Sequence, residues 1–128
     1  MPASPRPLSV TIVAWLFVAV GVVGLASAAR PLFREAAAGR LAELGRHELV
    51  DFVLAAISGL VALLGGALLR SGRNAGRWLV VAWMIFHLGV SAAHSLGMLL
   101  LHCALFAAPL WVLFRPRAAA YLSSRGTA

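Results

Sequence analysis

From Trp78 to Phe114 the chain runs for 37 residues without a charged side chain, and this limits its folds more than any other feature. As a single α-helix the stretch would measure about 55 Å at 1.5 Å per residue, nearly twice the roughly 30 Å hydrocarbon core of a bilayer. One crossing cannot use it all, so the sequence predicts two antiparallel crossings joined by a tight turn. The turn is expected at Ser95-Leu96-Gly97-Met98, with Gly97 in the left-handed conformation that ends helices. Span three then covers about 78–95 and span four about 99–114, the latter short and kinked by Pro109.

Two further crossings precede this pair. No charge appears from Pro7 to Ala29, which makes span one about 10–29. Arg6 and the small residues Ala26-Ser27-Ala28 also suit a cleaved secretory signal, but the apolar run exceeds the roughly 7–15 residues of a signal core, and more spans follow. Span two covers about 52–69 and ends in the polar turn 70–77. Between spans one and two lie all four acids, Glu35, Glu43, Glu48 and Asp51, mixed with Arg30, Arg34, Arg40 and Arg46. Leu32, Phe33, Ala36, Ala37, Leu41 and Leu44 recur at helical spacing, and Pro31 suits a first turn. The sequence therefore predicts an amphipathic helix over about 31–46 lying on the membrane surface, with Gly39 and Gly45 as its weak points. With 62% apolar and 12% charged residues and a mean hydropathy of +0.92, lipid is the expected solvent. The expected fold is all-α: one integral membrane domain, 1–128, built as a four-helix up-down bundle with that surface helix in its first loop.

Every basic side chain is Arg, and the net charge is +7. The arginines fall between apolar stretches and form no continuous basic face, which argues against nucleic acid. Arg6, the turn residues Arg70, Arg73 and Arg77, and the tail residues Arg115, Arg117 and Arg125 alternate with a charge-free turn between spans three and four. By the positive-inside rule both termini and the 70–77 turn are expected in the cytoplasm. Trp15, Trp78, Trp111 and Tyr121 fall toward that same side, as an aromatic interface belt requires. Arg70, Arg73, Arg77, Arg115 and Arg117 are the expected contacts to anionic lipid headgroups.

Ala55, Gly59, Ala62 and Gly66 stand at i, i+4, i+7 and i+11 of span two, one face of small side chains suited to close packing on a helix of this chain or another. Gly65, one position round, is expected to tolerate bulk better. In span three His87, Ser91, His94 and Ser95, with Met84 and Met98, share one stripe. His47, Asp51, His94 and His102 are expected at similar depth, where they could ligate zinc or copper or pass protons. His87 and His94 are about 10.5 Å apart along one helix, too far to share an ion, and a haem would need its axial pair from two helices. The favoured reading is plainer: such groups hydrogen-bond across helices, at about 0.6 kcal/mol each.

Several function classes fall away. Cys103 is the single cysteine, so neither an internal disulfide nor a dithiol relay can form. A small multidrug exporter needs an acid in span one, which has none. Metal-dependent enzymes acting on lipid phosphates gather several carboxylates, and here the acids are confined to residues 35–51. Ser58, followed by Gly59, has no recognisable base. The segments Arg6-Pro7-Leu8-Ser9-Val10-Thr11-Ile12, Gly76-Arg77-Trp78-Leu79 through Ala82-Trp83-Met84, Phe86-His87 to His94-Ser95, and Leu113-Phe114-Arg115-Pro116-Arg117 with Tyr121 resemble a group of small four-span bacterial membrane proteins of unknown function. The resemblance implies a bacterial inner-membrane setting and carries no activity across. The expected function is non-enzymatic, an accessory subunit or self-associating bundle with no cofactor. The alternative is a metal-, haem- or proton-handling protein using His87, His94 and His102.

Overall fold

The computed structural model describes residues 6–124, so Arg125 of the basic tail lies outside the described part. Four helices are each long and apolar enough to cross a membrane: α1, Leu8–Ala37; α2, Arg46–Arg70; α3, Asn74–His94; and α4, Leu96–Phe114. A fifth, α5, spans Pro116–Ser124, and no strand occurs among the described residues. Short connections make successive helices antiparallel. Packing is most extensive between α1 and α2, then between α2 and α3 and between α3 and α4, while α1 touches α4 only lightly. This is the expected all-α up-down bundle of a small four-span membrane protein. Helices suit that solvent because each satisfies its own backbone polar groups. Ile12, Val23, Ile57, Ile85 and Leu100 are all more than half exposed, apolar surface that hydrocarbon tolerates and water does not.

The buried core gathers at one end of the bundle. Val10, Ala14 and Phe17 of α1 meet Leu69 of α2, Val80 and Met84 of α3, and Leu113 of α4. This end is sealed by α5, whose Ala118, Tyr121 and Leu122 are buried in the same cluster. Arg115 is extended (φ −60°, ψ 145°), as the residue before a proline prefers, and Pro116 then opens the helix. No sequence expectation covered α5.

Two connections differ from expectation. The surface helix over 31–46 does not exist as a separate element. Instead α1 runs on through Pro31 to Ala37, because extending a helix is far easier than nucleating another and no helix-ending residue intervenes before Gly39. There, at φ +70°, Gly39 donates to the Ala36 carbonyl (3.1 Å) and Arg40 to that of Glu35 (2.9 Å), the paired bonds of a Schellman stop. A short 3-10 turn, Leu41–Glu43, follows, and α2 begins at Arg46, with Glu48 Oε2 accepting from the Gly45 amide at 2.8 Å. Gly72, at φ +77°, ends α2 by the same device. Between α3 and α4 the turn is Ser95 alone, extended at φ −167°. Its Oγ accepts from the Met98 amide at 3.2 Å, an N-cap that starts α4 at Leu96 and leaves Gly97 inside the first turn with ordinary helical geometry. Through Pro109, α4 continues without interruption.

Candidate functional site

The small face of span two meets α1 within the chain. A Cβ on Gly66 would lie 2.7 Å from both Ala14 O and Val18 N, and one on Gly59 would lie 3.0 Å from Leu25 N and 3.2 Å from Gly21 O. Ala62 between them is fully buried. Gly65 is not the open position expected of it, since its Cβ would stand 2.8 Å from Val80 Cγ2 on α3. Adjacent helix positions point about 100° apart, so α2 meets α1 with one glycine and α3 with the next. Gly76 of α3 answers from across the seam, where a Cβ would lie 2.7 Å from Leu69 N.

Ala55 escapes this seam and lines a groove of about 690 Å³ that opens where α4 stands off α1. Its α1 wall is Val20, Gly24, Ser27 and Ala28. Leu105 and Phe106 line it from α4, and Ser58, Trp83, His87 and His102 are lining groups that hydrogen-bond across the bundle. The Trp83 indole N–H donates to Ser58 O (2.9 Å) and Ser58 Oγ (3.0 Å). Ser58 Oγ in turn lies 2.7 Å from His87 Nε2. With the indole filling one lone pair, the hydroxyl keeps a hydrogen to donate and a second lone pair to accept, so it can bond either tautomer of His87. On the α4 side His102 Nδ1 lies 2.8 Å from Met98 O and 3.0 Å from Ser91 Oγ. A carbonyl only accepts, and the Ser91 hydroxyl already donates to His87 O at 2.7 Å. His102 therefore carries a proton on Nδ1, donated to the Met98 carbonyl. The two imidazoles stack with centroids 6.2 Å apart and planes at 21°, and the Trp83 ring lies 4.2 Å from that of His87.

The structure thus pairs His102 with His87 and not with His94. His94 ends α3, is exposed, and bonds Val90 O of its own helix through Nδ1 at 2.9 Å. His47 and Asp51 are exposed on the first turns of α2. The quartet His47, Asp51, His94 and His102 does not converge, and among the described residues no three His, Cys, Asp or Glu side chains could hold one metal ion. Ser58 and Trp83 were not candidates from sequence. The one available signal was that Ser58 is the sole hydroxyl in span two. The expectation that Ser58 lacks a base is also overturned by its contact with His87. Further parts of a hydrolytic triad do not accompany that pair: no carboxylate bonds to His87 among the described residues, and the Ser58 amide lies inside α2, where the helix uses it.

At the core end the arginines stack on the expected aromatic belt. The Arg70 guanidinium lies 4.1 Å from the Trp15 ring, that of Arg77 lies 5.2 Å from Trp78 and 4.9 Å from Phe114, and that of Arg115 lies 3.7 Å from Trp111. Arg6 Nε donates to the Tyr121 hydroxyl at 3.3 Å. Comparison of the chain with protein-family models, with curated proteins and with solved structures returned no match.

Proposed function

We propose that this chain is a non-enzymatic bacterial inner-membrane subunit that receives a transmembrane helix in the groove between α1 and α4. Its termini and the turn after α2 face the cytoplasm. A second copy of the chain is the simplest source of that helix, and a larger membrane complex is the other. The observation that carries this reading is the groove itself: small side chains at Gly24, Ser27, Ala28 and Ala55 beside two imidazoles. Membrane helices associate through small residues that let backbones approach and through polar groups that bond across the interface. Polar side chains left facing lipid are costly, which favours a covered groove. The glycine faces of α2 are consumed inside the chain, whereas this groove is not filled by the chain's own side chains.

Gly24→Leu tests the reading. A Cβ there would meet only Gly59 Cα, at an ordinary 3.6 Å, so the bundle should fold while its groove is filled. The wild type should run as a dimer or larger complex by native mass spectrometry in mild detergent, and Gly24→Leu as a monomer of unchanged helicity. A monomeric wild type, or an unaltered assembly in the variant, would refute it.

A second reading draws on the His87–His102 pair. Two imidazoles from different helices could ligate a transition metal or haem or relay a proton. Two ligands fall short of a closed zinc site, so a metal would need further ligands from another chain. Metal analysis and an optical spectrum of the purified protein decide between the readings. A stoichiometric metal or a haem band lost in both His87→Ala and His102→Ala would favour the second.

A further inference from the structure

The charge of this protein is divided end from end. All four acids lie between residues 35 and 51, and both ion pairs of the described residues are there, from Arg34 and Arg40 to Glu35. At the opposite end Arg6, Arg70, Arg73, Arg77, Arg115 and Arg117 stand without a single acid. Between residues 6–9 and α5 at that end lies a second groove, of about 970 Å³, lined by Arg6, Arg115 and Arg117 together with Leu8, Ser9 and Tyr121. Arg6 uses one nitrogen on Tyr121, Arg115 rests on the Trp111 face, and Arg117 makes no hydrogen bond or ion pair among the described residues. Three guanidiniums on two walls of one concavity, with no carboxylate of the described residues among them, form a site for a negatively charged group. The neighbouring surface says which kind. Leu8 on the groove wall is 74% exposed and Ile12, one turn on, is 60% exposed, so the same site continues into the lipid-facing flank of α1.

We propose that this groove binds the phosphate of one anionic phospholipid, with Arg6, Arg115 and Arg117 around the headgroup and an acyl chain along Leu8 and Ile12. A basic side chain near an anionic membrane surface contributes roughly a fivefold change in binding. In the groove that contribution becomes specific to position, unlike diffuse attraction, which every arginine at this end would share.

The test uses the full chain in a neutral detergent, titrated with phosphatidylglycerol, phosphatidylcholine or inorganic phosphate and read by native mass spectrometry and thermal melting. Phosphatidylglycerol should give a one-lipid adduct and raise the melting temperature, while phosphatidylcholine and millimolar inorganic phosphate should do neither. Arg117→Gln should weaken the adduct about fivefold, and Arg115→Gln with Arg117→Gln about twenty-five-fold. Arg73→Gln, at the same end but outside the groove, should weaken it no more than twofold, and Arg46→Gln at the far end not at all. Arg117 is exposed, so its single variant should fold and melt normally without lipid even where the double variant does not. Equal effects of Arg73→Gln and Arg117→Gln would reduce the site to diffuse attraction and overturn the proposal. Equal binding of phosphatidylcholine, or a melting shift from inorganic phosphate alone, would overturn it as well.

Discussion

Gly66→Ala adds one methyl group at the tightest seam of the bundle, and its effect can be worked from the geometry. The new Cβ would lie 2.7 Å from both Ala14 O and Val18 N and 2.9 Å from Val18 Cγ2, where ordinary contact begins at 3.4 Å. The obstacle is backbone, so no rotamer change relieves it, and α1 must retreat by 3.4 − 2.7 = 0.7 Å. Overpacking of this sort costs about 1–3 kcal/mol, partly offset by the roughly 1 kcal/mol that alanine gains over glycine inside a helix. The expected net loss is about 0–2 kcal/mol. Gly89→Ala is the control, because nothing lies within 4 Å of its Cβ and only the propensity gain remains. The propensity gain is common to both, so the two variants should differ by the overpacking cost, about 1–3 kcal/mol, a factor of roughly 5 to 150 in the unfolding equilibrium. Gly65→Ala should fall between them, since its neighbour at 2.8 Å is a Val80 methyl, which a small side-chain adjustment can move. Reversible unfolding in mixed micelles, followed by helical circular dichroism, measures all three. If Gly66→Ala proves as stable as Gly89→Ala, then α1 and α2 do not approach through these glycines.

Ser58→Ala should destabilise the bundle by about 1 kcal/mol, because His87 Nε2 loses its partner while Trp83 keeps the backbone carbonyl at position 58; unchanged stability together with an unchanged His87 ring nitrogen shift would argue against the contact. His94→Gln, at an exposed residue bonded only to its own helix, should cost well under 1 kcal/mol in the same unfolding assay. The hydrogen bond from Arg40, with Arg34 beside it, holds the Glu35 carboxyl below its ordinary 4.5. A carboxyl lowered on folding stabilises the folded form above its ordinary value, and that contribution is lost as pH falls through the lowered one. Backbone hydrogen exchange at Ala38 to Arg40, corrected for intrinsic rates, should therefore be unchanged from pH 7 to 5 and accelerate only below about 4.5. Reporter fusions at residues 74 and 128 should both report cytoplasm, and an external signal from either would reverse the proposed orientation.

The crossings were legible because each rests on a local property. Long uncharged runs must be helical in hydrocarbon, and their number follows from length alone. What stayed hidden depends on neighbours. The buried face of α5 is Ala118, Tyr121 and Leu122, three residues whose burial makes sense only beside Val10 and Leu113. The first loop was misread because an amphipathic pattern states which side of a helix is polar and not where the helix begins, so residues 31–37 carried the right periodicity and belonged to α1. The histidines show the same dependence most sharply. His87 and His94 are seven residues apart, two full turns, so periodicity places both on one stripe and cannot choose between them as the partner of His102. The turn chooses. With Ser95 as the hinge, His87 lies eight residues back and His102 seven residues forward, depths of about 12 and 10.5 Å at 1.5 Å per residue, whereas His94 lies at the turn itself. Pairing across an antiparallel hairpin is therefore set by one capping hydroxyl. Moving that cap by a few residues would bring His102 level with a different residue of α3, and the Ser58–His87 and Ser91–His102 contacts would no longer face one groove.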